Sequence, residues 1–203
     1  MHKKIIAIFA VAMFLAAASV QVSAQAVLMN SAETIQQGNF KLAIFPTILL
    51  GKNGGKSLWG VAGRIGYGLT PSLDIEAKAA FFKGINYYGA DIEYWFLKGH
   101  SFNGSLALGG HLLNYDGAGD TIGIDSSLLF STTPAKNLEI YGGLMVAFES
   151  VKNLDNYTRM HLVPGIEYRI SSILDFLAEF GIALNDNSSN YASLGLAFYL
   201  LAR

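Results

Sequence analysis

The chain has 203 residues, of which 52% are hydrophobic and 14% are charged, and its formal net charge is −1. This charged fraction is low, since soluble domains carry roughly 25% charged residues. A chain without a basic excess lacks the electrostatic footprint of a nucleic-acid-binding protein, so nucleic acid is excluded as a partner. The absence of cysteine excludes disulfides, thiolate metal sites, cysteine nucleophiles and a lipidated cysteine anchor.

The N-terminus has the three parts of a secretory signal peptide. Lys3 and Lys4 precede an apolar run at 5–20, and Val22-Ser23-Ala24 has the small-residue form of a cleavage site. The alternative is an N-terminal anchor helix, but the run is shorter than the roughly 20 residues that a spanning helix needs. We predict a signal peptide at 1–24 and a short N-terminal leader at 25–37.

The remainder, 38–203, alternates between apolar residues and polar or small ones, which is the period of a β-strand. The breaks in this pattern carry turn residues, as in "GKNGGK", "KGIN" and "NDNSSN". We predict one domain of ten strands, with eight as the alternative count. The predicted strands are 39–50, 58–69, 72–82, 87–97, 105–114, 121–132, 137–149, 158–170, 173–184 and 190–201.

The two faces of these strands favour a barrel in a membrane. One parity of every strand is free of charge, and the other is rich in Gly and Ala, which suit the crowded interior of a narrow barrel better than a solvated face. The alternatives are a soluble β-sandwich and a soluble lipocalin-like barrel. Aromatic residues lie on the apolar parity near both predicted rims, as expected at lipid–water interfaces. They are Trp59, Tyr88 and Phe148 at one rim and Tyr67, Tyr94, Phe96, Phe130, Tyr168 and Phe198 at the other.

Two prolines interrupt this pattern. Pro46 and Pro164 lie inside predicted strands, although a proline cannot donate a ladder hydrogen bond and a closed barrel has no edge strand to hold it. We predict β-bulges or local bends at both positions.

The polar parity collects charged side chains that would line the lumen. The candidate lumen-lining residues are Arg64, Glu76, Lys78, Asp91, Glu93, Asp125, Glu139, Arg159, Glu167, Arg169, Asp175 and Glu179. Lys41, Asp74 and Glu149 share this parity, and acids outnumber bases.

Three interpretations of the lumen remain open. Paired charges would form an internal network that plugs the barrel. An acidic, water-filled passage would be weakly selective for cations. The third is a lipid-acting acyl hydrolase or transferase using groups near the outer rim, which are His111, Asp125, Glu149, His161 and Ser193. No recognised nucleophile, phosphate-binding or zinc motif accompanies these residues, and no metal site or cofactor is predicted.

The chain ends on "YASLGLAFYLLAR", which is apolar for a terminus. It resembles the last strand of small bacterial outer-membrane β-barrel proteins, in the broad sense of OmpA and OmpX. In that family the strand carries an assembly signal: a polar residue, then a glycine two positions later, then two alternating hydrophobics. The matching residues are Ser193, Gly195, Phe198 and Leu200. Here Leu201-Ala202-Arg203 follow the signal, whereas the family often ends on an aromatic residue.

The resemblance implies a transmembrane antiparallel up-and-down β-barrel in the outer membrane. Its partners would be outer-membrane lipid and, during biogenesis, periplasmic chaperones and the barrel-assembly machinery. The predicted role is structural or passive transfer of small solutes, without catalysis. The alternatives are the lipid enzyme above and a soluble secreted barrel that binds a small apolar ligand.

Overall fold

The computed structural model describes residues 31–52, 55–116, 119–151 and 156–200. The predicted signal peptide, 1–24, lies outside these ranges. Ten strands are present in the described part of the chain, and no helix there is long and apolar enough to cross a membrane. The strands are β1 (Phe40–Leu49), β2 (Leu58–Thr70), β3 (Leu73–Phe82), β4 (Ile85–Lys98), β5 (Phe102–Tyr115), β6 (Gly119–Ala135), β7 (Leu138–Val151), β8 (Tyr157–Ser171), β9 (Leu174–Ala183) and β10 (Tyr191–Leu200).

The strands form a closed antiparallel barrel in sequence order, and β1 pairs with β10 to close it. The prediction of ten strands is confirmed, and the alternative of eight is wrong. Four short connections, 71–72, 99–101, 136–137 and 172–173, lie at the same end as Phe40 and Leu200, and we call this the turn end. The opposite end, where β1, β3, β5, β7 and β9 end, is the loop end.

The outward face is apolar from one end of the barrel to the other. Large hydrophobic side chains such as Trp59, Ile75, Ile124 and Leu194 alternate along their strands with buried residues, and Trp59 is 70% exposed. A soluble monomer rarely exposes a continuous apolar surface of this kind. The closed ladder also leaves no open sheet edge, which is the condition for a sheet to span lipid. The prediction of a transmembrane barrel is therefore confirmed.

The inward glycines make room for large side chains on neighbouring strands. A methyl group on Gly181 would overlap the ring of Tyr191, and one on Gly165 would overlap the ring of Tyr141. Gly195 lies in the same way against Phe45. These small inward residues thus lie beside buried aromatic rings, because a larger side chain at the same position would overlap the ring.

We predicted β-bulges or local bends at the two prolines, and the bulges are absent at both. Register shifts occur instead at the turn end, beside each of the four short connections, between Gly68/Thr70, Trp95/Leu97, Thr132/Ala135 and Arg169/Ser171. At the prolines the register is unchanged, but the ladder has a gap on one side. Pro46 and Phe45 lack ladder pairs with β10, and Pro164 and Val163 lack them with β9. A missing N–H removes a hydrogen bond without requiring an extra residue.

The barrel interior as the candidate functional site

The described part of the predicted N-terminal leader lies inside the barrel. Residues 31–37, which we call the N-terminal plug, lie in the mouth at the turn end. Ala32 and Ile35 are buried, and the backbone N–H of Ile35 donates to Asp74 Oδ2 over 2.7 Å. Asn103 Nδ2 donates to Glu33 Oε1 over 3.0 Å, and Gln37 forms a β-bridge with Gly68. The plug is therefore held by β2, β3 and β5 together.

A cavity of about 310 Å³ remains between the plug and the wall at the turn end. Its charged lining consists of Glu33, Lys41, Glu139, Glu167, Arg169 and Asp175. Arg169 Nε lies 3.7 Å from Asp175 Oδ1, and the Arg169 side chain is 58% exposed. Acids outnumber bases in this lining by four to two, and we call the cavity the acidic vestibule.

The middle of the barrel contains a linked ion-pair network. Glu76 lies between two bases, with Oε1 3.0 Å from Lys41 Nζ and Oε2 2.7 Å from Arg64 Nε. Asp91 in turn pairs with Lys78 and lies 3.7 Å from Arg64 Nη2. Lys41, Arg64 and Glu76 are almost completely buried, so each charge depends on its partners for the stabilisation that water would otherwise supply.

A second network lies nearer the loop end, around His111. The imidazole lies between two carboxylates, with Nδ1 2.9 Å from Asp125 Oδ1 and Nε2 3.3 Å from Glu149 Oε1. Glu149 also accepts from Arg159 Nη2 over 2.8 Å, and Tyr87 donates to Asp125 over 3.0 Å. The ring of Tyr87 stacks on His111 with centroids 5.2 Å apart.

Neutral hydroxyl groups contact two further carboxylates of the interior. Glu179 accepts from Tyr141 over 3.1 Å and from Tyr191 over 2.6 Å, and Ser105 donates to Glu93 over 2.5 Å. This arrangement accommodates an excess of acids, since a buried carboxylate is tolerated when its oxygens receive hydrogen bonds.

The groups that an enzyme would need are not assembled into a nucleophile and base. The hydroxyl of Ser193 lies 2.7 Å from Thr47 Oγ1 and 3.3 Å from the carbonyl oxygen of Pro46. His161 Nε2 instead lies 3.1 Å from the carbonyl oxygen of Ser189. Within the described ranges, no group of three or more His, Asp or Glu side chains is arranged to hold a metal ion.

Most of the predicted lumen residues are buried inside the barrel. Lys78 is half-buried and Arg169 is exposed at the turn end. The buried ones are Arg64, Glu76, Asp91, Glu93, Asp125, Glu139, Arg159, Glu167, Asp175 and Glu179.

Comparison with known proteins gives the fold of the chain. No protein-family model matches the sequence, and no curated protein matches it. An outer-membrane channel from Pseudomonas putida F1 is similar in structure, with a TM-score of 0.56 and 8% identity over 88% of this chain and 100% of that chain. The NanC porin is similar with a TM-score of 0.51 and 11% identity, over 79% of this chain and 100% of that chain. The chain has the fold of a bacterial outer-membrane β-barrel.

The four residues of the predicted assembly signal divide between the two faces of this barrel. Ser193 and Gly195 point inward, where Ser193 contacts Thr47 and Gly195 packs against Phe45. Phe198 and Leu200 point outward and are exposed. The signal residues therefore lie at the seam where β10 closes on β1, and their role in assembly stays a prediction.

Sequence reasoning missed the plug and the tyrosine hydroxyls. The plug has no period-two pattern, so nothing in it predicts a binding surface inside the barrel. For the tyrosines a signal exists: Tyr141 shares the parity of Glu139 and Glu149, and Tyr191 shares that of Ser193. A tyrosine on the inward parity beside carboxylates predicts a hydrogen-bond donor to one of them.

Proposed function

We propose that this protein is an integral outer-membrane barrel with a closed interior and a structural role in the envelope. The observation that carries the proposal is the continuous filling of the lumen. Inward side chains that are less than 2% exposed occur along the length of the barrel; they include Lys41 near the turn end, Phe45, Tyr191, and Leu113 and Arg159 near the loop end. Outer-membrane residence is supported by the fold and by the apolar outward belt.

The charges inside the barrel act as internal ties in this proposal. The Glu76 network joins β1, β2, β3 and β4, and the His111 network joins β4, β5, β6, β7 and β8. Each ion pair adds a side-chain link between strands that are otherwise joined only by their backbone hydrogen bonds. The interior thus stabilises one register of the closed sheet.

Single-channel recording of the refolded mature protein, residues 25–203, in a planar bilayer under a KCl gradient tests the proposal. We expect no steady conductance, with insertion shown separately by protease protection of the barrel. A steady conductance in the inserted protein would overturn the closed interior.

The second candidate function is passage of small cations once the plug leaves the mouth. The acidic vestibule favours it, since Glu139, Glu167 and Asp175 would attract cations and repel anions. A variant lacking residues 31–36 tests this function in the same bilayer. A cation-selective conductance in the variant alone would identify the plug as the gate. A silent variant would show that the two charge networks close the barrel without it.

We infer that the protein is not an enzyme. The hydroxyl of Ser193 contacts Thr47 and the Pro46 carbonyl, whereas His161 contacts the Ser189 carbonyl, so these two predicted catalytic groups do not form a nucleophile–base pair. Biogenesis through periplasmic chaperones and the barrel-assembly machinery remains part of the proposal and rests on the C-terminal strand.

A further inference from the structure

A groove on the lipid-facing surface runs across the strands from β8 to β2. Its volume is about 390 Å³. We call it the proline groove and define it by Pro46, Trp59, Pro164, Ala178, Ala192 and Leu194, all of which line it.

The barrel register explains the depth of this groove. At one level of the outward face, Ala192 lies across from Ile48 on β1 and from Phe180 on β9. At the next level, Ala178 lies across from Leu194 on β10 and from Ile166 on β8. Each alanine is thus a low point between two larger side chains, and the two low points adjoin diagonally across the β9–β10 pair.

The two gaps in the hydrogen-bond ladder flank these low points. Pro46 lies across from Leu194 without a ladder pair, and Pro164 lies across from Phe180 in the same way. An inward hydroxyl satisfies a carbonyl at the first gap: Thr47 Oγ1 donates to the Phe45 carbonyl over 3.1 Å, while Ser193 Oγ lies 2.7 Å from Thr47 Oγ1 and 3.3 Å from the Pro46 carbonyl. Phe180, although its parity is outward, is only 8% exposed. The polar side chains at the first gap thus lie on the inward face, and the groove surface is apolar.

The position of the groove and its uncharged lining indicate which kind of ligand it binds. It is continuous with the apolar belt through Trp59, Leu194 and Ile44, which are exposed. Glu179, the one ionisable residue of the lining, directs its carboxylate inward to Tyr141 and Tyr191. The groove begins at Trp59, on the rim expected at the lipid–water interface, and its uncharged lining continues to Ala178 and Pro164 in the middle of their strands, where a bilayer offers only hydrocarbon. We propose that the proline groove holds one acyl chain of a membrane phospholipid, which makes it a lipid-binding site independent of whether the lumen conducts.

Retention of lipid by the purified protein tests this site. The protein is reconstituted with 1-palmitoyl-2-oleoylphosphatidylethanolamine, extracted into detergent, and its bound lipid counted by native mass spectrometry. The wild type is expected to keep a single phospholipid. The double variant Ala178→Leu, Ala192→Leu fills both low points. The fraction of this variant that retains a phospholipid should be roughly tenfold lower than for the wild type, as expected when apolar contact worth about 1.4 kcal/mol is lost.

Two control variants separate a site from general lipid adhesion. Ala77 and Ala90 are exposed and lie across from each other on β3 and β4, away from any gap, so changing both to Leu should leave retention unchanged. Ala79→Leu fills a second outward cavity of about 400 Å³ at the β2–β3 pair, where the ladder is continuous around Ala79, and it should also leave retention unchanged. A loss in either control equal to that in the groove variant would overturn the proposal.

Folding of each variant is checked by its heat-dependent shift in gel mobility. If the double leucine variant does not fold, Ala192→Val replaces it and should still lower retention. Unchanged retention in a folded groove variant, or retention of added palmitate in place of phospholipid, would also overturn the assignment.

Discussion

The hydroxyl of Ser193 lies 2.7 Å from that of Thr47, and the two residues face each other across the seam that closes the barrel. Both are buried. They occupy the position where Pro46 interrupts the ladder between β1 and β10; Thr47 donates to the Phe45 carbonyl, and Ser193 lies 3.3 Å from that of Pro46. Side-chain contacts therefore take the place of backbone hydrogen bonds within the strand pair that closes the barrel.

Removing these hydroxyls should weaken the seam. Thr47→Val and Ser193→Ala should each lower the free energy of unfolding by about 0.5–1.5 kcal/mol, because each removes a buried hydrogen-bonding group. A double-mutant cycle measured by urea unfolding in lipid vesicles should show coupling, since the two hydroxyls are direct partners. Strict additivity of the two changes would contradict the contact.

Neutralising Glu76 should be more damaging than any other single loss of charge in the interior. Glu76→Gln leaves Lys41 and Arg64 buried beside an uncharged amide, and breaking a buried pair in this way costs about 3–5 kcal/mol. The matched control is Arg169→Gln: the Arg169 side chain is 58% exposed and its Nε lies 3.7 Å from buried Asp175, so the loss of this long, partly hydrated contact should cost less, about 1 kcal/mol. Equal losses in the two variants, measured by urea unfolding, would show that the interior is hydrated.

Two Gly→Ala variants should differ in stability if inward glycines pack against tyrosine rings. A methyl group at Gly181 overlaps the Tyr191 ring, so Gly181→Ala should destabilise the barrel by about 1–3 kcal/mol. At Gly142 the added methyl meets only the Val163 carbonyl oxygen at 4.0 Å, so Gly142→Ala should be neutral or stabilising by up to about 1 kcal/mol. The urea midpoints of the two variants decide the matter, and identical midpoints would refute the packing.

Gly195 belongs to the predicted C-terminal assembly signal and also packs against Phe45, and variants can separate these two roles. Gly195→Ala together with Phe198→Ser should reduce the amount of heat-modifiable protein in the outer membrane. Because a methyl group on Gly195 overlaps the Phe45 ring, Gly195→Ala is also tested together with Phe45→Ala. Continued failure in that pair indicates recognition of the glycine itself, whereas rescue indicates that the defect is steric.

The strands were predictable because their signal is local. Successive side chains of a strand point to opposite faces, so the parity of Trp59, Ile65 and Tyr67 against Arg64 is visible in the sequence without any partner strand. The β6 boundary was the least accurate: predicted as 121–132, the strand spans Gly119–Ala135, because pairing resumes at Ala135 and Leu138 beyond a register shift. Turn residues at 133–137 concealed this extension.

Alternation and composition within each strand are enough to predict the number of strands, the face of each that meets lipid and the burial of most lumen charges. The tertiary fold is needed to know which of those charges touch, that residues 31–37 lie in the mouth, and that Pro46 and Pro164 border one outward groove. These features join residues far apart in the chain, such as Thr47 with Ser193 and Ile35 with Asp74. Their contacts depend on register and closure of the whole barrel, which no local pattern encodes.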